Sequence, residues 1–205
     1  IDRWISELTS MLQLGFGEAG SRFISKNLKG RTFSEIITKE PGSIVNAFFG
    51  FCNLRNYEDI AEIEGRNAIH IVNRIANSLH TAVTQSHGDP NSNLGHAFLL
   101  VWKSKGVRNI QQVADAALRS YVQCILETTR AEFRQDLFER SKTIELDLCF
   151  GLHFGWAVEC AIGSECKVDL SYLSPHVNIA SRLQAASSQY GVSILISGDV
   201  FSLLS

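Results

Sequence analysis

Continuous apolar runs mark several segments of the chain as strands. One begins at Ser43 (SIVNAFFGFCNL), a second is AFLLVW, a third spans residues 146–161, and a fourth is VSILIS near the end. Such unbroken runs are typical of strands that are buried on both faces. The turn-forming residues of HGDPNSNLGH precede AFLLVW, so we predict a hairpin that turns at about Gly95.

Between these runs, apolar residues recur every three or four positions, which predicts helices. The pattern covers residues 56–86 with a break at Gly65, residues 109–140, and the segment that begins at Pro175 and ends at Gly191. A short final helix is expected in DVFSLLS, and GSECKVDLSYLS is interpreted as a loop. The predicted order βααββαβαβ favours an α/β (α+β) sandwich in which helices cover a mixed sheet.

The first part of the chain predicts a helical extension. Residues 4–13 and 18–28 have helical spacing and are joined by the glycine-containing LGFGEAG. Residues 29–43 contain Gly30, Pro41 and Gly42 and are interpreted as a linker. We therefore divide the chain into a helical lead-in and linker over 1–42 and a main domain over 43–205.

Composition argues against nucleic acid and membrane roles. The net charge is −2 and the pI about 6.3, so no basic excess indicates DNA, RNA or an anionic membrane surface. Apolar runs stay well short of the roughly 18 residues of a membrane span. The five cysteines form no CxxC pair and predict reduced thiols on the cytoplasmic side of a cell. A disulfide between Cys160 and Cys166 is the alternative.

The strongest chemical candidates are Asn178 and Arg182 in SYLSPHVNIASRLQAAS. At positions i and i+4 their side chains project from the same helix face. An amide beside a guanidinium suits a phosphate or another negatively charged oxygen. The competing interpretation is an ordinary amphipathic helix whose polar face contains these two residues.

Four segments in consistent order resemble the class III nucleotidyl cyclase catalytic domain. Within that family they are most similar to adenylyl cyclases of protists and algae. They are FFGFCNLRNYED, NSNLGHAFLLVW, GLHFGWAVECAIGS and YLSPHVNIASRLQAASSQYGVSILIS. The resemblance spans about residues 44–205, and LGFGEAG resembles the helical lead-in of that subgroup. It implies a ferredoxin-like core that dimerises head to tail and converts a nucleoside triphosphate to a 3′,5′-cyclic nucleotide and pyrophosphate at the interface.

The resemblance also implies that the two subunits contribute different residues to each active site. Two carboxylates of one subunit hold two Mg²⁺ ions, which favour hard oxygen ligands. The partner subunit supplies an Asn and an Arg that orient the ribose and stabilise charge on phosphorus. Asn178 and Arg182 match that Asn and Arg.

Both metal positions depart from the family pattern. FCNL has Asn53 where the family has the Asp of FCDI, and His96 follows Gly95 where the family has GD. A neutral amide and an imidazole are poor Mg²⁺ ligands, so we expect this chain to bind no metal by itself. Substitution by Glu58 and Asp59, or a zinc site at His96, are weaker alternatives. Mg²⁺ is expected only with a partner that supplies carboxylates.

Base recognition departs as well. Ser92 stands where adenylyl cyclases of this type have Lys, and Ser171 stands at the second base-contacting position, so ATP and GTP both remain open. Cys160 replaces an expected Gly, and His153 and His176 are interpreted as framework residues. The chain ends before the family's phosphate-binding lysine, so we expect a domain truncated before its last hairpin, and a fragment of a longer protein.

Two functions follow as hypotheses. In the first, the domain is the partner half of a heterodimeric or two-domain cyclase, with ATP or GTP bound between the halves. In the second, it is an inactive pseudo-cyclase that serves as a regulatory or structural dimerisation module. A homodimer that binds ATP without turnover is a third alternative. A larger membrane-anchored or ciliary protein is one context left open for the fragment.

Overall fold

A computed structural model describes residues 42–104, 109–135, 145–163 and 168–205. The helices predicted over 4–13 and 18–28, and the linker as far as residue 41, lie outside the described residues. Six strands and six α-helices follow in chain order within the described part. The strands are β1 (Ser43–Leu54), β2 (Asp89–Leu94), β3 (Ala97–Lys103), β4 (Leu148–Gly163), β5 (Val168–Leu173) and β6 (Ile194–Ile196). The helices are α1 (Tyr57–Glu64), α2 (Ala68–Gln85), α3 (Ile110–Thr128), α4 (Ala131–Gln135), α5 (Pro175–Ala186) and α6 (Gly198–Phe201).

The strands form one sheet in the order β2-β3-β1-β4-β5, and β6 pairs with β4. Pairs along the main path are antiparallel, whereas β6 runs parallel to β4 beside Phe150 and Leu152. The predicted mixed sheet covered by helices is therefore confirmed. The hairpin predicted at Gly95 is confirmed too, and this glycine has the positive φ of 66° that such a turn favours.

Alternate residues of β1 face different hydrophobic clusters, as the pleat of a strand requires. Phe48, Cys52 and Leu54 pack on the side covered by α2 and α3. Phe49 and Phe51 pack on the other side, where α5 contributes Val177 and Ala180. This double burial explains the unbroken apolar run of β1. It also places Asn53, by the same alternation, on the α5 side of the sheet.

Several predicted boundaries need correction. The helix predicted to end at Gly191 ends at Ala186. The helix expected over 109–140 ends at Thr128, where Thr128 Oγ1 donates to Cys124 O, and α4 follows as a separate short helix. Residues 136–144 lie outside the described part. The strand expected over 146–161 is shifted to Leu148–Gly163.

The loop expected over GSECKVDLSYLS is partly wrong, because Val168–Leu173 forms β5. Its alternating sequence, VDLSYL, suits an edge strand that pairs on one side only. Its polar residues, Asp169 and Ser171, are typical of a loop in sequence, but they occupy one face of the strand. Cys52, Cys124, Cys149 and Cys160 are free thiols, and Cys166 lies outside the described residues.

Gly151 allows α5 to lie against β4, because a Cβ there would overlap Ala180 O and Gln184 N of the helix backbone. We expect Gly151→Ala to lower the free energy of unfolding by about 2 kcal/mol, since backbone cannot move aside as a side-chain tip can. Denaturant unfolding measures the change. Gly198→Ala is the matched control, because nothing lies within 4 Å of its added Cβ. Equal midpoints for the two variants would contradict the prediction.

Candidate active site

The helix α5 begins at a well-formed N-cap. Ser174 Oγ accepts a hydrogen bond from His176 N–H at 3.0 Å, and Pro175 occupies the first turn, where the absent N–H has no cost. Val177 and Ala180 are buried against the sheet, so the opposite side of the helix faces outward. The sequence prediction of a helix start at Pro175 is confirmed.

Asn178 and Arg182 lie on the outward side of α5, and both are exposed. They are four residues apart and project in a similar direction. Within the described part of the chain, neither side chain makes a hydrogen bond or an ion pair, so their donors are available to an external group. A guanidinium without a carboxylate partner suits an anionic oxygen.

The structure brings Asn53 and His96 together at one end of the sheet. Asn53 pairs with Ala97, which directly follows His96, and Leu54 N–H donates to His96 O at 3.3 Å. The His96 ring stacks on Tyr57 with centroids 4.5 Å apart. Cys149 Sγ donates to Asn53 O at 3.4 Å from the adjacent strand.

The chemistry of this pair does not fit Mg²⁺. Asn53 Oδ1 is buried without a hydrogen-bond partner in the described residues, so one neutral oxygen and one imidazole form the donor set. Glu58 and Asp59 lie in the first turn of α1, and both are exposed. In the described ranges no group of three or more His, Cys, Asp and Glu side chains is arranged to hold a metal ion.

Ser92 and Ser171 lie on strands at opposite edges of the sheet. Ser92 follows an irregularity in the pairing of β2 with β3, and its hydroxyl donates to Asn91 Oδ1 at 3.3 Å. Ser171 pairs with Cys160, and Cys160 Sγ donates weakly to Ser171 O at 3.9 Å. Strand pairing within one chain therefore does not bring the two hydroxyls together.

A polar chain of His153, His176 and Ser197 was missed by sequence reasoning. His153 Nε2 lies 2.8 Å from His176 Nδ1, and His153 Nδ1 lies 2.8 Å from Ser197 Oγ. Burial lowers the pKa of His153; the charge of His176 lowers it further, and Asp199 opposes the shift. The two histidines are 23 residues apart in sequence, so no local spacing indicates their contact.

The profile of one family, described as the adenylate and guanylate cyclase catalytic domain, matches residues 42–205. The chain belongs to this family. The predicted resemblance to class III cyclases is therefore confirmed, and the chain contains a nucleotidyl cyclase catalytic domain, consistent with cyclic-nucleotide signalling.

An adenylate cyclase of Anabaena cylindrica is 22% identical to this cyclase domain over 216 residues, which cover 98% of the chain and 41% of that protein. Adenylate cyclase 1 of Rhizobium meliloti is 39% identical over 51 residues, 25% of the chain and 8% of that protein. The chain thus spans less than half of either curated relative.

Solved structures share the fold. A bacterial light-regulated adenylyl cyclase superposes with a TM-score of 0.78 at 18% identity, covering 99% of this chain and 56% of that one. The adenylyl cyclase CyaB of P. aeruginosa gives 0.67 at 19% identity, covering 80% and 82%. The guanylyl cyclase Cya2 gives 0.69 at 18% identity, covering 81% of each chain. Among the described helices of this cyclase domain, none has the length and apolarity needed to cross a membrane.

Proposed function

We propose that this domain is the partner half of a heterodimeric or two-domain nucleotidyl cyclase. It contributes Asn178 and Arg182 to a composite site that converts ATP or GTP to a 3′,5′-cyclic nucleotide and pyrophosphate. The observation that carries the proposal is the contrast between two regions of one chain. Asn178 and Arg182 are exposed and unpaired within the described residues, whereas Asn53 and His96 bring no anionic oxygen.

The chemistry of the reaction suits these two side chains. The ribose 3′-oxygen bonds to the α-phosphorus and loses its proton while the bond from that phosphorus to the pyrophosphate oxygen breaks. Negative charge accumulates on the phosphoryl oxygens, and a fixed guanidinium such as that of Arg182 stabilises it. The amide of Asn178 can donate and accept hydrogen bonds, which suits the positioning of the ribose.

The metal is assigned to the partner. The donor set of Asn53 and His96 does not fit Mg²⁺. In the proposed complex the second cyclase domain therefore supplies both carboxylates and the Mg²⁺ that they bind. One complete site per pair of domains is the consequence. The second potential site of the pair lacks its anionic ligands, because this chain contributes Asn53 and His96 there.

The base remains open between adenine and guanine. A hydroxyl both donates and accepts, so Ser92 and Ser171 select neither purine by charge or polarity. The Ser92 hydroxyl already donates to Asn91 Oδ1 at 3.3 Å. Because this hydrogen bond occupies the Ser92 hydroxyl, it favours the second candidate function. That candidate is an inactive pseudo-cyclase whose dimer surface regulates or supports another cyclase domain.

The two candidates differ in one measurement. This chain is combined with a cyclase domain that has both metal carboxylates but has Ala in place of its own catalytic Asn and Arg. We expect Mg²⁺-dependent cyclic-nucleotide formation by the mixture and background rates from each chain alone, because only the composite site is complete. Mass spectrometry of the product with ATP or GTP identifies the base.

Two results would argue for the pseudo-cyclase instead. One is a stable complex, seen by size-exclusion chromatography, whose rate does not exceed that of its separate chains. The other is activation of an intact partner that does not change when Arg182 is replaced. A nucleotide-induced melting shift of this chain alone would indicate nucleotide binding without turnover.

A further inference from the structure

Two polar contacts hold the start of α5 against β4. Ser174 Oγ donates to Trp156 O at 2.5 Å, and the same oxygen accepts from His176 N–H at 3.0 Å. The second contact with β4 is between His176 Nδ1 and His153 Nε2 at 2.8 Å. The two rings are nearly parallel, with centroids 5.1 Å apart and an interplanar angle of 19°.

Close packing fixes the His176 ring in this arrangement. The ring occupies the space above Gly155, where a Cβ would overlap it, and the Trp156 ring meets it edge-on with centroids 6.0 Å apart. His153 is 3% exposed and is held from its other nitrogen by Ser197 Oγ. Ser197 N–H in turn donates to Leu152 O at 3.0 Å, so the chain of contacts ends on the sheet backbone.

His176 and Asn178 are two residues apart, which is a rotation of about 200° around a helix. His176 therefore contacts the sheet while Asn178 and Arg182 face outward. We propose that the His153–His176 pair is a positioning device for α5, which sets the placement of Asn178 and Arg182 and ties it to the protonation of the pair. This inference rests on the proposed function only for its effect on turnover.

The contact between the two ring nitrogens requires one hydrogen between them. With both rings neutral, one donates and the other accepts. A single added proton is tolerated, because the charged ring can donate to its neutral neighbour. A second proton sets N–H against N–H, so the contact must break.

A fall in pH is expected to break the contact between His153 and His176. Burial, and then the charge of His176, lower the pKa of His153 below its ordinary value of 6.5. Asp199 of α6 is the charged group in the described residues that faces the pair, and its Oδ2 lies 4.0 Å from His153 Nδ1. It is 71% exposed and opposes the shift only in part. Since the folded-state pKa is depressed, the stabilisation is present above pH 6.5 and is lost as the pH falls through the lower value.

The test follows the complex of this chain with the carboxylate-bearing domain over pH 7.5 to about 5. We expect the wild-type kcat to fall about tenfold over this range, with KM little changed, after correction for the pH response of the partner. A tenfold decrease corresponds to the loss of one hydrogen bond of ordinary strength. His176→Asn places an amide near the position of Nδ1 without a titrating group. It is expected to keep the wild-type kcat at pH 7.5 and to lose the acid step. His176→Phe keeps a ring but no nitrogen, and is expected to have the low kcat at every pH.

Hydrogen exchange of the α5 amides in this chain alone gives a readout that needs no activity. Wild-type α5 is expected to exchange faster at acid pH after correction for the intrinsic rate, and His176→Asn is expected to show no such change. If the wild-type complex makes no cyclic nucleotide, the proposed function fails and exchange alone decides the positioning role. An active complex whose acid step persists in His176→Asn, or α5 exchange without a pH-dependent change, would overturn the positioning proposal.

Discussion

Replacement of Arg182 by Ala is expected to lower cyclic-nucleotide formation by the partnered complex about 100- to 1,000-fold, the range for loss of one preorganised donor at a developing negative charge. Arg182 is exposed, and in the described residues it has no ion pair, so the folded domain loses no internal contact with it. The loss should therefore appear in kcat while the melting temperature stays unchanged. Steady-state kinetics of the complex, with the partner in excess, measure it.

The control for this prediction is Arg119→Ala on α3, which also removes an exposed guanidinium. It is expected to leave the rate unchanged, because Arg119 lies on a helix at the other face of the sheet. Arg182→Lys should recover only part of the activity, since an ammonium keeps the charge but lacks the planar pair of donors. Equal rates for Arg182→Ala and Arg119→Ala would remove Arg182 from the proposed site.

Restoring both carboxylates is expected to give the isolated chain an activity of its own. The double variant Asn53→Asp, His96→Asp places two anionic oxygen ligands at neighbouring positions on β1 and the following hairpin. A homodimer of this variant would combine them with Asn178 and Arg182 of the second copy. We expect Mg²⁺-dependent cyclic-nucleotide formation about 100-fold or more above the wild-type chain, because metal stabilisation of the transferred phosphoryl group contributes several kcal/mol.

A matched control adds the same two substitutions elsewhere. His70→Asp with Asn73→Asp places two carboxylates on the exposed side of α2 and should leave the chain inactive. Adding Arg182→Ala to the restored variant should abolish its activity, and mixing that triple variant with wild-type chain should bring activity back through one composite site. If the restored variant binds Mg²⁺ in calorimetry yet forms no product, its Asn178 and Arg182 half is incompetent, and the pseudo-cyclase is favoured.

Much of the architecture was predictable because local pattern and tertiary burial agree. The run SIVNAFFGFCNL is apolar throughout, and β1 is indeed covered on both faces. By contrast, β5 was not predicted, since an edge strand needs only one apolar face and its polar residues resemble those of a loop. The helix expected to reach residue 140 ends earlier, and apolar periodicity alone does not mark such an end.

Some features of the candidate site could likewise be predicted from the sequence, and others could not. The i and i+4 spacing predicts that Asn178 and Arg182 share one helix face. The family motifs identify Asn53 and His96 as the two metal positions, and the β1–β3 pairing brings them to the same end of the sheet. Ser92 and Ser171 belong to opposite edges, which sequence does not reveal. The His153–His176 contact depends on how closely α5 lies against β4, and the glycines that permit this approach, Gly151 and Gly155, give no signal by themselves.

Asn53 is half-buried, and its Oδ1 is buried without a hydrogen-bond partner in the described residues. A carboxylate at that position would set a negative charge beside a buried strand, and such a charge needs a bound cation or a buried partner to be tolerated. A neutral side chain removes this need at the cost of one unmatched hydrogen-bonding atom. A folded domain with Asn53 at this position therefore needs no bound cation there to offset a buried charge.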